Sequence, residues 1–384
     1  MSEDGRASSD SGTSRDTRRC YAPADETQYL EARVERLRSR MAENGLDALL
    51  VTHPADRRYL SGVTAGDSQP GETPGWLLIG LSEGFGFFSS SYYEEARVTA
   101  SHLEVARVQA PSAGRIAPTA AAVARHRGWK RIGFQEWALN VRWYSEFKDG
   151  LDESQTLIPT GDLMNSLRAV KDAFEITYMR EAGRIASEAF SEVIAELRPG
   201  VTELRLARDL EEAIRGKGAL GPSFPTIVAA GEGAAVPHHV PCERPIREGE
   251  PVIIDMGALV NGYSSDMTRT ICLGQAPKRL SEMYAEVLAG LNEAVRRTYA
   301  GNRGSDVGRS GADTMGHGIG LVVHEYPFLS DDPTLEPGMV FAIEPGLYVL
   351  GWGGVRLEDT VLVGEAAGER LTTAPFVLEV GNSQ

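Results

Sequence analysis

Two stretches of this 384-residue chain place acids where chemistry could use them. The first runs Gly249-Glu-Pro-Val-Ile-Ile-Asp255 and the second Gly338-Met-Val-Phe-Ala-Ile-Glu344, so each has an acid six residues after a glycine and across an apolar run. Each is followed by a second segment with another acid: Asp266 eleven residues beyond Asp255, and Glu358 fourteen beyond Glu344. A carboxylate on a core strand is costly unless it is paired or binds a cation. One such acid could cap a turn at a strand end, but four in a mirrored arrangement call for more. Asp255, Asp266, Glu344 and Glu358 carry four negative charges, which two divalent ions would balance. Four of the seven histidines, His238, His239, His317 and His324, lie in the same part of the chain. His317 stands in Gly316-His-Gly-Ile-Gly320, where small neighbours leave its ring accessible. Four carboxylates and an imidazole form a hard, oxygen-rich donor set, better suited to Mn2+ or another first-row ion than to structural zinc. Two ions bridged by carboxylates can hold a hydroxide at neutral pH and polarise a carbonyl, which is hydrolytic chemistry. The glycine cluster is weak as a nucleotide signature, because no strand–turn–helix unit surrounds it.

The elements that must position these residues are legible in the periodicity. Asp172 followed by Glu175 reads as a capping box, opening a long helix through Ile176, Met179, Ile185, Val193 and Leu197 that stops at Pro199-Gly200. Thr202 caps a second helix with Leu204, Ala207, Leu210 and Ile214 on one face. Strands are expected at 224–229, 251–256 and 263–273, and a further helix opens at Ser281. A long helix precedes each carboxylate unit, so the pattern predicts two similar α+β halves facing one another. Upstream, Leu30, Val34, Leu37 and Met41 recur at helical spacing, and Gly45 ends that helix. Strands are expected at 46–51, 76–80, 85–89 and 131–134, with a helix over 119–126. His53, His102 and His126 stand apart from one another and read as surface or capping residues. The expected organisation is a disordered tail over 1–26, an α/β domain over 27–158 and a catalytic α+β domain over 161–384.

Composition bounds the rest. At about 150 residues per domain the length allows two or three domains. Hydrophobic residues make up 42% and charged residues 24%, which excludes collagen, coiled coil and wholesale disorder. A net charge of −15 argues against nucleic acid as a partner. Three cysteines, Cys20, Cys242 and Cys272, do not make a disulfide framework and fit a reducing, cytoplasmic setting. No apolar run approaches 18 residues and no secretory signal opens the chain, so no membrane association is expected.

Read together, five segments resemble the pita-bread metallopeptidases. They are Asp255-Met-Gly, Gly262-Tyr-Ser-Ser-Asp266-Met-Thr-Arg-Thr270, Gly316-His-Gly-Ile-Gly-Leu-Val-Val-His324-Glu, Ile343-Glu-Pro-Gly346 and Gly354-Val-Arg-Leu-Glu358-Asp. Within that family the chain looks most like the Xaa-Pro aminopeptidase and prolidase branch; Pro222-Ser-Phe-Pro-Thr-Ile-Val-Ala-Ala230 and Val236-Pro-His238-His agree. The resemblance spans residues 27–370 and implies a creatinase-type N-terminal domain before a pita-bread catalytic domain. It implies Asp255, Asp266, His317, Glu344 and Glu358 as ligands of two divalent ions, Mn2+ first, with Co2+, Zn2+ or Fe2+ as alternatives. Asp266 and Glu358 would bridge the ions, and Glu344 would also take a proton from the bound water. His238 and His324 would bond the scissile carbonyl and its oxyanion. Arg356 would face substrate or orient Glu358, and His239 would be a neighbour. The implied substrate is a small peptide with proline at its second position, and the implied assembly is a homodimer.

The pattern is broken in one place. Symmetry calls for a helix before His317, but residues 301–316 contain Gly301, Gly304, Gly308, Gly311 and Gly316. Each costs a helix up to about 1 kcal/mol relative to alanine. The segment, about a dozen residues shorter than the family pattern implies, is expected to be an irregular loop with at most one helical turn. Two other functions compete: a pita-bread hydrolase acting on another small amide such as ectoine, and a non-catalytic binding protein. Creatinase-type relatives lack the metal set that is present here. Dimethylsulfoniopropionate-lyase-type relatives carry an acid at the position of Gly257.

Overall fold

The computed structural model describes residues 26–67, 71–109 and 115–381. Nearly all of the expected N-terminal tail lies outside them. The exception is Glu26, a buried residue that opens a helix rather than ending a tail. The chain divides into two compact units, one reaching Met164 and one beginning at Asn165. No described helix is long and apolar enough to cross a membrane.

The first unit is a mixed α/β layer. Its elements are α1 (Glu26–Glu43), β1 (Ala48–Val51), α2 (Pro54–Ser61), β2 (Gly75–Gly80), β3 (Gly84–Ser89), α3 (Tyr93–Thr99), β4 (Glu104–Val108), α4 (Ile116–His126), β5 (Arg131–Phe134), α5 (Val141–Asp149) and β6 (Thr156–Pro159). The six strands pair in the order β4-β3-β2-β1-β5-β6. Leu30, Val34, Leu37 and Met41 form the buried stripe of α1 that their spacing requires. Trp76, Phe85, Phe87, Ile132 and Phe147 join the core beside the sheet. The three upstream histidines take structural places: His53 packs on Trp137 with ring centroids 4.6 Å apart, His102 Nε2 lies 2.8 Å from the Leu60 carbonyl, and His126 ends α4. The short helices α2, α3 and α5 escape periodicity, although Pro54 at the start of α2 and the Asn140 cap of α5 were local signals.

After α6 (Leu163–Ala169), the second unit is built twice over from helix and sheet. Its first half holds α7 (Ala173–Ala195), α8 (Glu203–Gly216), β7 (Gly221–Pro222), β8 (Ile227–Ala230), β9 (Pro251–Met256), β10 (Ala258–Val260), β11 (Tyr263–Ser264) and β12 (Met267–Leu273). Its second half holds α9 (Lys278–Arg297), α10 (Gly304–Gly308), β13 (Met315–Gly318), β14 (Glu325–Phe328), β15 (Val340–Glu344), β16 (Gly346–Val349), β17 (Gly353–Arg356), β18 (Asp359–Leu362), β19 (Glu369–Arg370) and β20 (Glu379–Val380). Its two larger sheets run β20-β12-β9-β8 and β14-β13-β15-β18-β19, beside a three-stranded sheet β11-β10-β7 and the pair β16-β17. The capping box at Asp172 is formed in full, and Thr202 accepts from the Arg205 N–H. Ile185, Phe190 and Leu210 pack on Val252, Ile254 and Ile271 in one core. Leu280, Val287 and Leu291 pack on Phe341, Ile343 and Val361 in the other.

Several boundaries differ from the sequence reading: the helix expected over 119–126 begins at Ile116, the strand expected at 46–51 begins at Ala48, and the long helix expected through Leu197 ends at Ala195. The strand expected at 224–229 begins at Ile227. The one expected at 263–273 breaks at Ser265-Asp266, freeing Asp266 from strand pairing. The third helix begins at Lys278, with Pro277 at its cap, one turn before Ser281. The glycine-rich segment holds only the five-residue α10, anchored by the buried Val307, as the glycines predict.

Candidate metal centre

Strand parity decides where the four acids point. Side chains of a strand alternate between faces, so residues two apart share one. On β9, Val252, Ile254 and Met256 join the helix-side core, which turns Asp255 to the other face. On β15, Phe341 and Ile343 do the same, leaving Glu344 on the far face with Ala342. Met267 and Ile271 of β12 lie in the first core, so Asp266 extends the opposite face through Thr268. Val361 and Val363 lie in the second core, so Glu358 shares its face with Thr360. All four acids therefore leave their helices behind and line one cavity of about 880 Å³, together with His238, His239, His317, His324, Tyr348 and Arg356.

His317 comes from β13, where backbone approach is close. A Cβ on the preceding Gly316 would lie 2.7 Å from the Ala342 carbonyl oxygen of β15, so only glycine lets the two strands pair there. The ring is aimed by Nδ1, 3.1 Å from the Gly318 carbonyl, which leaves Nε2 facing the acids at 3.7 Å from Glu344 Oε1 and 3.8 Å from Asp266 Oδ2. Ligand atoms of Asp266, His317 and Glu358 all fall within 4.8 Å of one another. Burial holds the His317 imidazole down to about 4, so that it is neutral and able to ligate.

The acids repel one another. Burial, and then Glu358, Asp255 and Glu344, push Asp266 well above the usual carboxylate range. Burial, followed by Glu344 and Asp255, does the same to Glu358. Burial lifts Glu344 to about 7 against the pull of Arg356. Oδ1 of Asp255 and Oδ1 of Asp266 are buried and accept no hydrogen bond from a described residue. Orphaned carboxylate oxygens beside a neutral imidazole are the donor set a divalent cation requires, so the residues fit the implied metal.

Arg356, expected to face substrate or to orient Glu358, lines the cavity and is bonded within the acid cluster. Its Nη2 donates to Asp255 Oδ2 at 2.6 Å, Nε to Thr268 Oγ1 at 3.1 Å and Nη1 to the Tyr348 hydroxyl at 3.0 Å. Burial works to lower its pKa, but Asp255, Tyr348 and Glu358 outweigh burial and raise it. Arg356 therefore bonds Asp255 directly and reaches Glu358 through Thr268. Glu358 is oriented by the Thr268 hydroxyl, which donates to its Oε2 at 2.6 Å. Thr268 carries a period-two signal, two residues after Asp266, that sequence reading left unused.

Two further acids support the exposed histidines. His238 sits on a loop whose next residue, His239, places Nε2 2.9 Å from Glu203 Oε2. The same buried carboxylate accepts from the Ala230 N–H at 2.8 Å and from the Cys242 N–H at 3.2 Å. Burial would raise Glu203, yet these bonds hold it below its ordinary value. His239 is thus a strut for the loop that carries His238. His324 packs edge-on against His317 with centroids 4.4 Å apart. Its neighbour Glu325 is buried against Arg168 and against Lys171, whose Nζ lies at 3.0 Å.

Comparison with known proteins follows the same boundaries. Metallopeptidase family M24 matches residues 177–365, and the creatinase/prolidase N-terminal domain matches residues 33–170. An Xaa-Pro dipeptidase of Pyrococcus furiosus is 30% identical over 89% of this chain and 98% of its own. A solved Xaa-Pro dipeptidase from Bacillus anthracis superposes with a TM-score of 0.85 at 34% identity, over 91% of this chain and 100% of that one. An X-Pro aminopeptidase from Thermotoga maritima gives 0.79 at 28% identity, over 89% and 100%.

Proposed function

The chain belongs to metallopeptidase family M24, in its pita-bread, prolidase branch, and on that premise we propose that it hydrolyses the bond between an N-terminal residue and proline at a two-metal centre. Asp255, Asp266, His317, Glu344 and Glu358 would hold the ions, with Mn2+ the best match to the hard donor set. When bound, such ions would supply an activated water and a Lewis acid for the scissile carbonyl. Arg356 fixes Asp255, and Thr268 fixes Glu358, so both carboxylates are oriented before a cation arrives. Glu344, at the edge of the cavity, accepts the proton released in the attack. His238 and His324, which both line the cavity, would bind the carbonyl oxygen as it becomes an oxyanion. An Xaa-Pro bond has no N–H for a peptidase to grip, so recognition falls on shape and on these donors.

The observation that carries this reading is the convergence of four acids, two within strands and two at strand entrances, and a neutral imidazole on one cavity, with two carboxylate oxygens unbonded. The domain limits proposed from the sequence, 27–158 and 161–384, set this machinery in the second unit. The test is a screen of Xaa-Pro peptides before and after chelation, with elemental analysis of the loaded protein. Retention of about two ions per chain and metal-dependent cleavage are expected. A protein that neither retains nor regains metal would refute the reading. Cleavage of ectoine and of no peptide would move the activity to the alternative hydrolase class.

A further inference from the structure

Resting on that peptidase reading, we propose that the site is shaped for peptides that continue beyond proline with an apolar residue, and that it disfavours the free Xaa-Pro dipeptide. Three observations converge. The cavity, at about 880 Å³, lies toward the upper end of the range of about 300–1,000 Å³ for small-ligand pockets. Its rim is apolar and open: Val240 is 79% exposed, Met315 63% and Phe328 41%, and all three line the cavity. Large apolar side chains left in water at the mouth of a site mark a surface that a ligand covers.

The third observation is electrostatic. A dipeptide carries its carboxylate one residue past the scissile bond, and burying that charge without a cation is costly. Among the described residues that line the cavity, Arg356 is the only arginine or lysine. All three of its guanidinium nitrogens are engaged, by Asp255, Thr268 and Tyr348. The two buried cations behind the His324 loop, Arg168 and Lys171, are engaged by Glu325. On the peptidase reading His238 and His324 serve the scissile carbonyl. A longer peptide presents a neutral amide where a dipeptide presents a charge, and its next side chain can cover the rim.

The experiment compares hydrolysis by the metal-loaded full chain of alanyl-proline, its C-terminal amide, and tripeptides extended by leucine or by aspartate. The amide is expected to exceed the free acid by about tenfold or more in kcat/KM, carried mainly by KM, and leucine to exceed aspartate. Equal or better cleavage of the free dipeptide would overturn the proposal. Cleavage of none of the four would refute the peptidase reading beneath it, a distinct result. Phe328→Arg would supply a guanidinium at the rim and is expected to raise the dipeptide-to-amide ratio about tenfold. An unchanged ratio in a folded variant would overturn the assignment of this rim to the substrate's downstream end.

Discussion

Glu358 and Glu325 are both buried carboxylates of the second unit, yet their surroundings are opposite. Arg168 and Lys171 surround Glu325; although burial alone would raise it, they hold it below its ordinary value. Glu358 faces Asp255 and Glu344, which with burial push it well above that value. The first cluster is balanced by the chain itself. In the second, no lysine stands among the described residues that line the cavity. Arg356 is the one arginine among them, and it contacts one acid of the four directly. A buried acidic cluster left unbalanced must take up protons or cations, and the proposed metal centre would supply the latter.

The largest effect should come from the unbalanced cluster. Asp266→Ala or Glu358→Ala is expected to lower kcat/KM by about a thousandfold or more, about 4 kcal/mol, and to reduce the retained metal. Full metal content with normal turnover in either variant would erase the contrast. Chelation should act next. Carboxylates with raised folded-state pKa values bind more protons folded than unfolded, so the metal-free protein loses stability as pH rises from about 4.3, the unfolded glutamate value, through about 7 for Glu344. The gap in unfolding free energy between loaded and metal-free protein, read by chemical denaturation, should therefore widen from pH 5 to pH 8, towards about 4 kcal/mol at saturating metal. A gap that narrows over this range would reverse the sign of the argument.

The balanced cluster should respond the other way. Glu325 is depressed, so its stabilisation is present above the unfolded value of about 4.3 and is lost as pH falls below it. Glu325→Ala strands Arg168 and Lys171 and should cost about 3 kcal/mol in chemical denaturation while metal content stays normal. Loss of metal with unchanged stability would mean that the two clusters are one. The smallest effect is expected at Glu203. Glu203→Gln keeps one acceptor but sets an amide donor against the Cys242 N–H, at about 1–2 kcal/mol. It should lower kcat several-fold by loosening the His238 loop, with metal and KM nearly unchanged. A variant that loses metal instead would make Glu203 part of the centre.

The internal comparison of the two halves teaches a related point. The first half carries two full helices before its acids, whereas the second has α9 and only the five-residue α10. The acids nevertheless occupy matching places, because β9 and β15 carry Asp255 and Glu344 while Asp266 and Glu358 sit in the segments entering β12 and β18. The 301–316 loop forms a wall beside His317 without setting its position, which strand β13 fixes by pairing with β15.

What the sequence determined is what local geometry encodes. Strand parity turns Asp255, Asp266, Glu344 and Glu358 away from their helices, capping chemistry starts α7 and α8, and glycines limit α10 to a single short helix. Each depends on residues a few positions apart. The tertiary structure decided which charges meet. Arg356 reaches Asp255 across 101 residues, Arg168 reaches Glu325 across 157, and His239 reaches Glu203 across 36. A guanidinium has no sequence periodicity that names its partner; only tertiary packing of elements distant in the chain brings one acid, and not another, within hydrogen-bond reach.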